Sequence, residues 1–420
     1  MDENVKCSPL ALHTEIDMAG PLLEARVDEE DAFLGGRNAQ VIRTELGPFQ
    51  SSTFFAADLV VLSPGIPLSQ MQVKSLRLQD AVHHTACGVP VLSEIAFASQ
   101  CFPPTIPISG ITGTNGKSTV CSFVGQLLNS CGGRTFVGGN FGTPLSECAL
   151  EFVLAKRQRH QCEGLYVPWP FDSVVVECSS YQLEHPGALR FDVACLLNIT
   201  SDHLERHGTM AQYAAVKRRI FSALSQSMTL AITPAVRDKP NAKISSVFRE
   251  EVPGFNSVGP ATTVGTGVKL RSDNALELDA ELVGGNQVYI GSLPGVVVDS
   301  HEFAKVCLPD CTDDNGLLQP MLVNISSVTA LSTHNGGNAG VSILLAHSMN
   351  PTTYPLSRLA GGLFTLATLP HRMQLVATTE HPVHKSIYWV DDSKATNIQA
   401  AATGLAEYEK CAVVLIGMFS

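Results

Sequence analysis

The chain has 420 residues, 45% hydrophobic and 16% charged, with a formal net charge of -11. That length favours two or three domains, and the composition is that of an ordinary globular protein. The negative charge argues against a general nucleic-acid or anionic-membrane surface, and no apolar run reaches the roughly 18 residues of a membrane span. The twelve cysteines are scattered without a CxxC, the closest pair being Cys307 and Cys311. They read as buried free thiols, which favours a reducing compartment. The first 36 residues hold nine acidic side chains against Lys6 and Arg26, the opposite of a secretory or transit peptide. The start reads either as mature cytosolic sequence or as other than the natural beginning.

In chain order, Ala56–Pro64 (AADLVVLSP) predicts a short buried strand ending in the turn Ser63-Pro64-Gly65, which is either a plain turn or a ligand loop of an α/β fold. From Thr105, TIPISGI predicts a strand, followed by a glycine-rich turn and a helix. On that helix Val120, Phe123, Val124, Leu127 and Leu128 recur at the spacing of a buried face. Further strands are predicted at Ser173–Val176, Val193–Leu197 and Met228–Ile232. Strands alternating with helices predict an α/β fold with a mainly parallel, doubly wound sheet. Residues 235–330 show only short β-like runs such as QVYIGSL and GVVVDS, and no site is assigned there. A second α/β pattern runs from Leu369 through SIYWVD, a helix ATNIQAAATGLAEY and a strand CAVVLIG.

The turn Gly113-Thr114-Asn115-Gly116-Lys117-Ser118-Thr119 is a phosphate-binding loop. Glycines let backbone N–H groups face an anion, and the following helix adds its positive end. Lys117 would meet the β- and γ-phosphates, and Ser118 would ligate magnesium. The strict pattern has a glycine where this chain has Ile111. SVVVE delivers Glu177 at a strand's carboxyl end, either a magnesium ligand or a capping, salt-bridged residue. VACLLN ends in Asn198-Ile199-Thr200-Ser201-Asp202-His203, and His203 gains weight as a ligand from that position. Lys217 falls on the helical face of Tyr213, Ala214, Ile220 and Phe221, where it either snorkels to water or is buried and reactive. The clusters His334–Asn338, Leu369–Arg372 and Asp391–Asn397 are individually weak signals, but Arg372 and Lys394 together could neutralise phosphates across a cleft.

In order and content these motifs resemble the Mur ligases of peptidoglycan synthesis. ITGTNGKST resembles the family's ATP loop and VVECSSYQLE its D-glutamate-adding branch, with GGNFGTP, LNITSDHLERH, QYAAVKRRIF, THNGGN, LPHR and DDSKATN as further matches. The likeness runs from about Ala56 to Gly417 and is poor between about 235 and 325. It implies three parts: a partial Rossmann-like UDP-substrate domain (1–104), a central P-loop ATP domain (105–368) and an incomplete Rossmann-like C-terminal domain (369–420).

The resemblance implies ATP and two magnesium ions. Ser118 or Thr119 with Glu177 would serve one ion, and His203 with a carbamylated Lys217 the other. Ser63, Pro64, Gly65, Asn140, Ser179 and Thr396 would contact substrates, and Asn335, Asn338, Arg372, Asp392 and Lys394 would surround the nucleotide or close the cleft. The implied substrates are UDP-N-acetylmuramoyl-L-alanine and D-glutamate, joined through an acyl phosphate by a monomer in the cytoplasm, or in a plastid if the source is photosynthetic. Both ends look incomplete beside the family pattern, before Ala56 and after Gly417, which leaves the amino-acid pocket in doubt. Two alternatives stand: another Mur or folylpolyglutamate-type ligase, and a homologue that binds nucleotide without ligating.

Overall fold

The computed structural model describes residues 57–66, 89–162, 166–187, 189–223, 293–308, 311–329, 335–382, 385–396, 398–405 and 408, with strand segments at 22–26, 41–45, 230–234, 268–270, 276–278 and 286–290. The motif residues His334 and Asn397 and the expected strand CAVVLIG lie outside them.

Two antiparallel strands, β1 (Leu22–Arg26) and β2 (Val41–Glu45), come first. Then β3 (Val60–Leu62) pairs in parallel with β4 (Val91–Ser93), and α1 (Glu94–Ser99) follows directly. The strand expected to be buried throughout is shorter and one-sided: Val60 and Leu62 are buried while Val61 is exposed. Alternation of side chains along a strand that is covered on one face accounts for this.

The central body is built on β5 (Ile108–Thr112), α2 (Lys117–Ser130), β6 (Thr135–Gly139), α3 (Leu145–Gln161), β7 (Ser173–Glu177), β8 (Val193–Leu196), α4 (Leu204–His207), α5 (Met210–Ser222) and β9 (Leu230–Pro234). Beyond them β10 (Val268–Leu270) and β11 (Leu276–Leu278) form a separate antiparallel pair. Next come β12 (Asn286–Ile290), β13 (Gly295–Val298), β14 (Phe303–Cys307), β15 (Met321–Asn324), α6 (Ser326–Thr329), α7 (Asn335–Met349) and α8 (Leu356–Gly362).

Nine strands make one sheet in the order β15-β14-β13-β12-β9-β8-β5-β7-β6. Every pairing from β6 to β13 is parallel, and β14 and β15 close the far side antiparallel. The mainly parallel, doubly wound sheet is thus present. The two β-like runs noticed in 235–330 are β12 and β13, whereas β14 and β15 were not legible.

Both faces of the sheet are covered. Val175 joins one core with Val120, Phe123, Val124, Leu127 and Leu128 of α2 and the apolar face of α7. Val174 and Val176 join the other core with α1, α3 and α5. Strands enclosed on both sides read as continuous apolar runs, which is why β5, β7 and β8 were recognisable. All five α2 positions chosen by spacing are fully buried.

Toward the carboxyl end, β16 (Gln374–His381) and β17 (Lys385–Asp391) form an antiparallel hairpin, followed by α9 (Ile398–Leu405). The strand SIYWVD and a shortened helix are where the sequence put them. The hairpin partner Gln374–His381 was not foreseen.

Gly110, in the middle of β5, has no room for a side chain: a Cβ there would sit 2.5 Å from the Phe191 ring. Gly110→Ala is expected to cost about 1–3 kcal/mol by overpacking, read as a lower midpoint in thermal unfolding. An unchanged midpoint would contradict this packing.

Candidate functional site

The loop between β5 and α2 is held by backbone geometry and by one side chain from the neighbouring strand. Gly116 adopts φ 84°, where a Cβ would stand 3.1 Å from Asn338 Oδ1. Left-handed backbone and close approach both require glycine here. Asn198, just past β8, accepts at Oδ1 from the amides of Thr114 (3.1 Å) and Asn115 (2.9 Å), and its Nδ2 donates to the Asn115 carbonyl (3.0 Å). The Thr114 hydroxyl lies 3.2 Å from the Tyr213 hydroxyl and accepts from the Thr200 amide. Asn198 and Tyr213 therefore shape the loop. In the sequence Asn198 is marked only as a strand end and Tyr213 only as part of an apolar helix face.

Two lysines converge on this loop from different helices. Lys117 Nζ donates to the Thr114 carbonyl (2.9 Å) and Lys217 Nζ to the Gly113 carbonyl (2.8 Å). Lys217 is only 2% exposed, and its ammonium lies 4.8 Å from the Tyr213 ring centre. Of the two fates open to it, burial is the one realised. Burial lowers the pKa of Lys117, opposed by Glu177 and assisted by Arg372. The Lys217 amine is pushed down to about 7, first by burial and then by the Lys117 charge, with Asp202, Cys178 and Glu177 opposing.

Glu177, 2% exposed at the end of β7, accepts at Oε1 from Asn140 Nδ2 (2.9 Å). Its Oε2 is buried with no hydrogen-bond donor among the described residues. An acceptor left in that state costs about 1–3 kcal/mol, and a bound cation would relieve the cost. Among the described residues no group of three or more His, Cys, Asp or Glu is placed to hold a metal. Magnesium uses one or two carboxylates and takes its remaining ligands from phosphates and water, and the buried Glu177 carboxylate with the Ser118 hydroxyl supplies donors of that kind. The residues present therefore fit one ion beside Ser118 and Glu177.

His203 caps α4 at φ 52° with its Nδ1 3.1 Å from the Tyr181 hydroxyl. Its ring also lies near Asp202 and Glu205. Ser179 is tied to Gln182 Oε1 through both its amide and its hydroxyl. From the carboxyl-terminal side, Arg372 Nη2 donates to Ser118 Oγ (3.1 Å), joining residues 254 positions apart at the phosphate loop. Asn335 is buried, and its Oδ1 accepts from Asn338 (3.2 Å), which faces Gly116. Thr119 is buried in the first turn of α2.

Other candidates come from the segments flanking the central body. Asp392 accepts from the Met373 amide (3.1 Å), a local bond within the hairpin region. Lys394 and Thr396 are exposed. The Ser63-Pro64-Gly65 turn closes through Ile66 N–H to Ser63 O (3.1 Å) and meets the central body through Arg206. The nine cysteines among the described residues are free thiols; six are buried as expected, whereas Cys101, Cys162 and Cys311 are only half-buried.

A lysine whose pKa drops on folding leaves the unfolded chain holding the extra proton. Below about pH 7 that difference opposes folding, and stability recovers as pH rises from about 7 toward the ordinary lysine value of 10.5. Lys217→Met removes this liability. Its thermal midpoint relative to the unsubstituted chain is expected to be higher by several °C at about pH 6 than at about pH 9. A difference that stayed flat or grew with pH would count against a buried, depressed Lys217.

The sequence profile of the Mur ligase middle domain matches residues 111–259. The UDP-N-acetylmuramoylalanine--D-glutamate ligase of Anaeromyxobacter dehalogenans is 32% identical over 391 residues, 92% of this chain and 70% of that protein. The protein of the same name from Myxococcus xanthus is 29% identical over 88% of this chain and 66% of its own length. The chain thus spans about two thirds of the length of these curated relatives. Among solved structures, MurF of Thermotoga maritima in complex with ADP superposes with a TM-score of 0.44 at 16% identity, covering 76% of this chain and 66% of that one. Matched across nearly its whole length, the chain belongs to the Mur ligase family of ATP-dependent amide-bond ligases.

Proposed function

We propose that the chain joins D-glutamate to UDP-N-acetylmuramoyl-L-alanine at the expense of ATP, through an acyl phosphate. The observation that carries this reading is the convergence of Lys117, Lys217 and the donor-less Glu177 Oε2 on one glycine-rich loop. The Lys117 cation, a buried lysine amine that loses its proton easily and a carboxylate awaiting a cation match what a nucleoside triphosphate, its magnesium and an acid substrate must meet together. The names of the curated relatives support the choice of acid and amine. The division into 1–104, 105–368 and 369–420 belongs to the same proposal. A cytoplasmic site of action suits nucleotide substrates, and the bacterial relatives lend nothing to the plastid alternative.

The loop amides and Lys117 would bind the β- and γ-phosphates, with Arg372 drawn in from the carboxyl-terminal side. One magnesium ion would be held by Glu177 with Ser118 or Thr119, and a second by His203 and a modified Lys217. Bound magnesium would offset the repulsion between the anionic reactants. An oxygen of the substrate carboxylate attacks the γ-phosphorus, the bond to the β-phosphate oxygen breaks, and ADP leaves. The amine of D-glutamate then attacks the acyl carbon. A C–N bond forms, inorganic phosphate departs and the amine gives up a proton. Asn140, Ser179 and the Ser63-Pro64-Gly65 turn would orient the acid. Asn335, Asn338, Asp392, Lys394 and Thr396 would order the nucleotide side of the cleft.

The depressed pKa of Lys217 supports carbamylation. Its neutral amine would add to carbon dioxide and lose a proton, turning a buried cation into a carboxylate that ligates magnesium.

Phosphate release with ATP, UDP-N-acetylmuramoyl-L-alanine and D-glutamate tests the reading, and a preference for another amino acid overturns the acceptor. Lys117→Ala should abolish that release while leaving the thermal midpoint close to that of the unsubstituted chain. Turnover that persists would refute the phosphate-site assignment. Lys217→Ala should be impaired and partly restored by added short carboxylates. Absence of rescue would count against the carbamate.

A further inference from the structure

Behind the phosphate loop lies a buried charged cluster that none of the assigned roles uses. Glu184 and Arg206 form a bidentate pair: Nε to Oε1 at 3.0 Å and Nη2 to Oε2 at 2.6 Å. Both side chains are largely buried, 14% exposed for Arg206 and 8% for Glu184. Arg219 fixes the Glu184 backbone carbonyl (2.6 Å), and His207 stands 3.7 Å from the carboxylate while bonding Ser180 (2.9 Å). The carboxylate therefore has little freedom to move.

The guanidinium does more than neutralise it. The same Nη2 donates to the carbonyl of Ile66 (2.9 Å), the residue that closes the Ser63-Pro64-Gly65 turn. The guanidinium carbon also lies 4.9 Å from the ring centre of Tyr181, whose hydroxyl meets His203. One planar cation thus touches the turn on one side and the Tyr181–His203 pair on the other. Only a guanidinium offers a rigid fork for a carboxylate, a further donor and a flat face for an aromatic ring at once.

From this geometry we infer that Arg206 is a positioning residue. Anchored by Glu184, it sets the Ser63-Pro64-Gly65 turn at a fixed distance from the His203 edge of the phosphate site. A nucleotide-sugar seated on the turn is thereby held with its acid end toward the loop. The substrate part of this inference rests on the proposed function; the mechanical part does not.

Removing the arginine alone would strand a buried carboxylate, so the neutral double variant Glu184→Gln/Arg206→Gln is compared with Arg206→Lys. Calorimetric titration with UDP-N-acetylmuramoyl-L-alanine is expected to show about ten-fold or greater weakening in both, the scale of a lost charged hydrogen bond. Titration with magnesium-ADP should show no comparable loss. In parallel, hydrogen exchange at the amides of Gly65 and Ile66 should speed up in both variants. Wild-type affinity for the nucleotide-sugar in the variants, an equal loss of both ligands, or unchanged exchange at the turn would each overturn the inference. If the unsubstituted chain fails to bind the nucleotide-sugar, the substrate reading falls, and the exchange measurement alone then decides whether Arg206 positions the turn.

Discussion

Everything at the site depends on keeping two lysine ammoniums out of water within reach of one short loop. Lys117 and Lys217 each donate a hydrogen bond to a loop carbonyl, those of Thr114 and Gly113 respectively. Those bonds hold the charges in place beside the loop. Desolvating two like charges side by side is unfavourable, and the depressed pKa values record it. The buried Glu177 carboxylate and Asp202 partly offset the cost.

The scaffold meets this demand by placing rigid elements on every side of the loop. β5, β7 and β8 are buried on both faces, so their ends, carrying Gly113, Glu177 and Asn198, hold fixed separations. Asn198 then ties two loop amides and one loop carbonyl to the neighbouring strand. α7 brings Asn338 against Gly116 from the far side, and α5 brings Lys217 from beneath. A phosphate loop on a less constrained turn would bind with a larger entropic cost.

Contacts over long sequence separations carry the coupling to the other parts of the chain. Arg372 reaches Ser118 across 254 positions, and Arg206 reaches Ile66 across 140. Arg372 acts at the loop, on the side expected to hold the nucleotide, and Arg206 at the Ser63-Pro64-Gly65 turn, on the side expected to hold the sugar. Their long, forked side chains can span two elements and still satisfy a definite partner.

Much of this was legible in the residues. The α2 face, the three central strands, the loop from Gly113 to Thr119 and the positions of Glu177 and Lys217 all follow from apolar periodicity and from polar residues at strand ends. These are local signals, carried within ten or fifteen residues. The antiparallel strands β14 and β15 and the partner of β17 were not legible, because strands at a sheet edge or in an exposed hairpin are only partly buried and carry no continuous apolar run. Nor could the sequence say whether Lys217 would be buried or would snorkel, or that Asn198 would grip the loop. It also could not say that Arg206 would face Glu184, Ile66 and Tyr181 together. Local pattern determined which elements form and which chemistry they carry. Only the tertiary structure decided burial, partner and distance, since those depend on desolvation and packing among segments that the chain order keeps apart.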